Sequence, residues 1–304
     1  MKTFLSSLVL AAGAAAFLAP VAAAAEPSVH AGRASVYRQL PERSLERVST
    51  PEHIMTVATV PTAPTEIWRT LEHGERVECL RCIPEVSKLL WDAHPKTREI
   101  AAWWLRRRIF GVFGPGEIYS RVVDTLNGGA SEVRRAHAAE ALGEFLVRAG
   151  VPHVARAAVS DGSAVVRRSA VKALERLNSE GPAGELSQAF ADGDEAVRLA
   201  AVRAVPRINV FSRVDLLVAR LGDASAEVRR AAAESLGALR AEDAVVALVA
   251  LASPDREESP DVRAAAVAAL GWIGDRSARG AVEGALGDSD PIVASAAAIA
   301  ARQL

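Results

Sequence analysis

Apolar and polar positions along this chain repeat on two scales, once within each helix and once between helices. An apolar residue followed by Arg, then a run of small residues closing on an apolar residue eight positions on, recurs. It stands at Val166-Arg167 to Leu174, Val197-Arg198 to Val205, Val228-Arg229 to Leu236 and Val262-Arg263 to Leu270. The arginines of these copies are 31, 31 and 34 residues apart. A degraded copy, Val293-Ala294, follows 31 residues later, and Thr97-Arg98 to Leu105 and Arg134-Arg135 to Leu142 precede them, which makes seven units. An acidic residue sits five positions before the apolar anchor at Asp92, Asp161, Asp192, Asp223 and Asp288, and seven before it at Asp255, with Gly129 in that place in the second unit. A fixed period of this length is the signature of a repeat architecture, each unit being helix A, an Asp turn and helix B.

The runs Ala231, Ala232, Ala233 and Ala264, Ala265, Ala266 explain helix B physically. Alanine has the highest helix propensity and no bulk, so B helices can approach closely while the anchors line one face. One helix pair cannot bury that face, whereas stacked pairs bury it continuously. The last copy, Asp288 to Leu304, is degenerate and is expected to cap the stack. Gly143, Gly237 and Gly271 are expected to end B helices, and Pro260 and Pro291 to start them. The predicted fold is all-α, an α-solenoid of about seven helix pairs.

Upstream the pattern changes. Lys2, an apolar stretch from Phe4 to Ala23 and Ala23-Ala24-Ala25 before Glu26 form a secretory leader, with small residues at −3 and −1 of a cut after Ala25. The competing reading is a retained anchor. Residues 26–64 are polar and punctuated by Pro27, Pro41, Pro51, Pro61 and Pro64, and are expected to be a disordered or extended lead, with a short strand or docking peptide around Glu52 to Val60. Residues 65–127 hold divergent N-terminal units with a CxxC, and 128–304 the regular solenoid with its cap. Export to the periplasm or beyond follows from the leader.

Of the 304 residues half are apolar and 5% aromatic, enough for a sizeable core. The formal charge of −1 becomes −2 without Lys2, so no global basic field argues for nucleic acid. Nothing after the leader offers another 18-residue uncharged apolar stretch, so no stable membrane insertion is expected once it is removed.

The Asp turn, the Val-Arg pair, the Ala run and Leu-Gly, as in Gly222 to Gly237, resemble the short bacterial HEAT repeat named after phycobilisome lyases, over roughly residues 84 to 304. The resemblance implies a curved superhelix whose inner surface, lined by B helices, binds protein. Two enzymatic relatives lack support. HEAT-like deoxyhypusine hydroxylases hold iron with His-Glu pairs, and none of His30, His53, His73, His94, His137 or His153 is followed by Glu. Bilin lyases act on cytosolic proteins, which an exported chain would not meet.

The Asp and Arg ladder of Asp161, Arg167, Asp192, Arg198, Asp223, Arg229 and Arg263 admits a cationic strip for acidic partners. The stronger reading is structural: these residues cap helix B and hydrogen-bond between successive turns. The second arginines, Arg168 and Arg230, sit one step round the helix and are candidates for partner contact. Cys79-Leu80-Arg81-Cys82 before Pro84 suggests a disulfide in an exported chain, with a redox pair or a metal site as alternatives. Ile83 excludes a c-type haem motif. Trp103, Trp104, Arg106, Arg107 and Arg108 place two indoles and three guanidinium groups on one helix, the composition of a binding hot spot, although a bulky cap sealing the end is the plainer reading. Catalytic motifs such as G-x-S-x-G and H-E-x-x-H are absent. The function this supports is an exported scaffold or adaptor, no enzyme and without cofactor, binding a protein or peptide through its concave face and N-terminal aromatic patch. A thiol-redox accessory using Cys79 and Cys82, and a structural envelope component, are the alternatives.

Overall fold

The structure is a computed structural model and describes residues 50–111 and 114–304. The expected leader at 1–25 and the part of the expected lead up to residue 49 lie outside the described residues. Among those described, helices come in A/B pairs: α1 (Pro51–Thr59) and α2 (Pro64–His73), α3 (Cys82–Lys88) and α4 (Pro95–Ile109), α5 (Glu117–Asn127) and α6 (Glu132–Phe145), α7 (Val151–Ser160) and α8 (Ala164–Arg176). There follow α9 (Glu185–Ala189) and α10 (Glu195–Ala204), α11 (Val214–Arg220) and α12 (Ala226–Ala238), α13 (Val245–Leu251) and α14 (Pro260–Ile273), α15 (Arg279–Ala285) and α16 (Pro291–Ala300). The only strands there are β1 (Phe110–Gly111) and β2 (Gly114–Pro115), a two-residue antiparallel ribbon between α4 and α5.

Each B helix packs on its own A helix and on the B helices before and after it, so α4, α6, α8, α10, α12, α14 and α16 form one continuous layer. The apolar anchors close this layer: Val166, Leu174, Val197, Val228, Leu236 and Leu270 are 0% exposed. The all-α solenoid of about seven pairs expected from the period is the fold.

An eighth pair precedes it and corrects the reading of 26–64 as disordered or extended throughout. Residues 51–59 are the helix α1, neither strand nor free lead. The Thr50 side chain accepts from His53 N, Pro51 occupies the first turn, and Ile54 and Val57, three apart, are buried. Pro64 likewise opens α2. Pro51 and Pro64, which punctuate the sequence, start helices here, because a proline at the first position loses no hydrogen bond. The helix is only 9 residues long, too short for its period to stand out between prolines.

The glycines also differ from expectation. Gly143, Gly237 and Gly271 lie in the last turn of α6, α12 and α14 rather than after it, at the contact with the next B helix. A Cβ on Gly237 would come 2.8 Å from Ala269 Cα, and one on Gly271 or Gly143 would come 2.8 or 2.9 Å from Ala300 or Ala173 Cα. The small residue is there to let two backbones approach. Helix α14 actually ends three residues later, where Gly274 takes φ +79°.

Candidate protein-binding face

The ladder lies between repeats. Arg167 donates from Nε and Nη2 to Asp192 at 2.7 and 2.8 Å, Arg198 to Asp223 at 2.8 and 2.9 Å, and Arg263 to Asp288 at 2.9 Å twice. Arg135 does the same to Asp161 at 2.7 and 2.8 Å. The third guanidinium nitrogen turns back to its own repeat: Nη1 of Arg167, Arg198 and Arg229 each reaches the carbonyl of Asp161, Asp192 and Asp223 at 2.9 Å. Each carboxylate also accepts a backbone N–H two residues on, as Asp223 does from Ser225. Helix capping falls to that next residue, Asp194, Ser225 or Asp290, rather than to the ladder aspartate. These hydrogen bonds, first of all those from the arginines, hold the carboxyls of Asp161, Asp192, Asp223 and Asp288 below the usual carboxylate range.

One rung differs from the sequence expectation. Asp255 is exposed, and Arg229 pairs instead with Glu257 at 2.6 and 2.8 Å. Glu257 stands five positions before Val262, the spacing of every other rung, and a search for acidity rather than for Asp finds it.

The N-terminal patch divides between core and surface. Trp104 is 0% exposed and donates Nε1–H to the Gly74 carbonyl at 2.9 Å, so it is not a partner contact. The guanidinium of Arg108 stacks on its ring, 3.6 Å from the centroid, and donates to the carbonyls of Gly74, Glu75 and Val77. Burial pushes the Arg108 guanidinium down to about 10. Both residues tie α4 to α2 and the turn after it, since a buried carbonyl cluster needs donors. Trp103 and Arg106 are half-buried, and Arg107 is exposed beside Glu75 at 3.1 Å. Cys79 and Cys82 form a disulfide whose two residues are 4% and 0% exposed.

The ladder supplies a register for the face outside it. Five residues after each ladder position stand Trp103, Glu140, Lys172, Arg203, Glu234, Ala268 and Ile299; nine after stand Arg107, Glu144, Arg176, Arg207, Ala238, Trp272 and Gln303. The second row covers the glycine contacts: Cβ of Arg176 lies 3.5 Å from the Cβ position of Gly143, Trp272 Cε3 2.7 Å from that of Gly237, and Gln303 Oε1 2.5 Å from that of Gly271. A second set of ion pairs crosses repeats here, Glu144 with Arg176 and Glu175 with Arg207. Burial pushes the Glu144 carboxyl up against the opposing pull of Arg176. Beside them a cavity of about 380 Å³ is lined by four basic side chains, Arg98, Lys172, Arg176 and Arg207, and by four glutamates, so its charge is balanced. Arg168 is half-buried on this side, whereas Arg230 is engaged by Glu234 at 2.8 Å. Trp272, 46% exposed, escaped notice in the sequence. No group of three His, Cys, Asp or Glu side chains suited to a metal ion occurs among the described residues.

A family model described as HEAT repeats matches residues 119–205, 183–258 and 255–304. No curated protein matches the chain. Among solved structures, Escherichia coli YibA is 17% identical over 91% of this chain and 98% of its own, with a TM-score of 0.52. Yeast importin-β, Kap95p, in a structure describing its binding to RanGDP, is 16% identical over 82% of this chain but only 39% of its own, with a TM-score of 0.57. The CpcE and CpcF complex of phycocyanin lyase from Nostoc sp. is 22% identical over 73% of this chain and 86% of that one, with a TM-score of 0.40. For YibA and Kap95p the likeness is one of fold.

Proposed function

We propose that this chain, which belongs to the HEAT-repeat family, is an exported adaptor that docks a protein or peptide on the outward rows of its B helices. One observation carries this. The ladder rungs beneath are chemically almost constant from repeat to repeat, while the rows five and nine residues further on run from indole and guanidinium through carboxylate to aliphatic. A repeat scaffold needs constant joints and an individual surface, and solenoids use that extended surface for binding. Kap95p, which shares the fold, binds RanGDP. Export rests on the leader pattern at residues 1–25, and no described helix is long and apolar enough to cross a membrane. No enzymatic step or cofactor is part of this reading. The buried sulfurs of Cys79 and Cys82 favour a joint that fastens the N-terminal unit over a thiol-redox role, since exchange needs an accessible sulfur.

Photo-crosslinkers placed singly at Arg107, Arg203 and Trp272 in the full chain, in intact cells, test it. The expected result is a common captured protein from these positions and none from Val246 on α13, an A-helix position 83% exposed. Capture from Val246 alone would overturn it.

A further inference from the structure

Every joint between successive B helices from α6 to α16 carries a full rung. Arg135, Arg167, Arg198, Arg229 and Arg263 each engage both oxygens of an acid in the next repeat, and those acids are only 2–10% exposed. The joint between α4 and α6 is built differently. Gly129 stands in the acid's place. Arg98 holds the carbonyls of Asp92 and Ala93 in its own repeat, then crosses to a single oxygen of Glu140 at 2.9 and 2.8 Å. Glu140 is 36% exposed, so water competes for that pair. The turn also lacks a clamp, because a glycine has no carboxylate to accept the N–H two residues on, as Asp161 does from Ser163.

His137 is a second difference at this joint. Two residues after the ladder position the later B helices carry Ser169, Ala200, Ala231 and Ala265. That position lies one turn before Ala173, Ala269 and Ala300, the kind of residue that meets the preceding B helix, and so shares their face. On α6 it holds an imidazole whose Nδ1 is buried with no hydrogen-bond partner among the described residues. A buried unpartnered nitrogen costs free energy that opening to water relieves. Two cavities also open at this joint. One of about 390 Å³ lies between Leu90 and Trp91 before it and Ile118, Val122 and Arg134 after it; the other, of about 380 Å³, reaches from Arg98 and Glu99 to Glu140 and Glu144. The pairs before the joint are fastened to each other. Trp68 donates to Thr97 Oγ1, Trp104 to the Gly74 carbonyl, and Arg108 to three carbonyls after α2.

We infer that the joint between α4 and α6 is a hinge, about which residues 51–109 swing as one body against the ladder-locked stack of residues 117–300. The stability of a solenoid is a sum over nearest-neighbour interfaces, so bending gathers at the weakest of them. Few residues need to change conformation at such a boundary. Trp103 and Arg107 ride on one body and Arg203 and Trp272 on the other, so the spacing between them is adjustable. The hinge itself does not depend on what docks there.

Nitroxides attached to genetically encoded keto side chains in the full chain, read in pairs by double electron-electron resonance, test it. The four sites are exposed and lie on helices: Glu52 on α1, Lys88 on α3, Arg121 on α5 and Val246 on α13. The Lys88 to Val246 distance distribution, which crosses the hinge, is expected to be about twice as wide as those of Arg121 to Val246 and Glu52 to Lys88, each within one body. Gly129→Asp restores the rung acid, and there is room for it, since nothing lies within 4 Å of the Gly129 Cβ position. That variant, alone or with His137→Ala, should narrow the Lys88 to Val246 distribution to the width of the other two. Three results overturn the hinge: a Lys88 to Val246 distribution no wider than that of Arg121 to Val246 in the unaltered protein, an equally wide one for Glu52 to Lys88, or a width indifferent to both variants.

Discussion

Arg198 in one repeat grips Asp223 in the next with two parallel hydrogen bonds of 2.8 and 2.9 Å, while its third nitrogen holds the carbonyl of Asp192 in its own repeat. The side chains are 14% and 2% exposed, so neither is replaced well by water. One guanidinium thus couples two Asp turns and fixes the spacing of neighbouring helix pairs, a geometry that a lysine, with no planar fork, cannot reproduce.

Removing either partner should therefore strand the other, and the two losses should not add. Asp223→Ala is expected to destabilise by about 3 kcal/mol, because it strands the Arg198 charge. The double variant with Arg198→Met should cost less than the sum of the singles by about 1–2 kcal/mol. Urea unfolding of the four proteins closes the cycle, and strict additivity would show the rung to be idle.

Acid should loosen the joints. The folded ladder carboxyls sit below their usual range, so their contribution is present above the unfolded values of about 4 and is lost as pH falls through the folded ones. The melting temperature should be flat from pH 7 to 5 and drop steeply below 4. Asp223→Asn should reduce that drop; an unchanged profile would place the acid sensitivity elsewhere.

Two glycine-to-alanine changes should have opposite signs. At Gly237 the added methyl meets Ala269 Cα at 2.8 Å, backbone that cannot swing away, and the expected cost is about 1–3 kcal/mol. Gly284 lies in α15 with nothing within 4 Å of its Cβ position, and alanine there should stabilise by up to about 1 kcal/mol. Thermal melts decide both.

The two N-terminal indoles should separate cleanly. Trp104→Ala removes a fully buried ring and the surface on which Arg108 stacks, at a cost of about 3–5 kcal/mol. Trp103→Ala, at a half-buried outward position, should cost under half as much. The reverse order in chemical denaturation would contradict the packing.

Much of this was legible because it is periodic. The Val-Arg anchor and its small-residue run recur with helical spacing, and only a stack of helix pairs buries such a face. What escaped was decided by neighbours. Glu257 was missed because the side-chain type was followed instead of the register. Trp104 stands among the candidate partner contacts in the sequence reading although six residues after the ladder position the other repeats carry Ala173, Ala204, Ser235 and Ala269, all buried or small. There the sequence held the signal, and Gly74 supplies the room that makes an indole fit. Trp272 looks like any core aromatic in a chain of alanines.

By itself the sequence determined the helix pair, its period and the chemistry of its joints, since these follow from local propensity and from apolar spacing that repeats. The tertiary structure decided which atoms meet across that period: that Arg198 reaches the next carboxylate, that Gly237 in the last turn of α12 is also a backbone contact, and that Trp272 stays in solvent while Trp104 does not. Those outcomes depend on distances of a few ångströms between residues some thirty positions apart, and a linear pattern contains the register but not the separation.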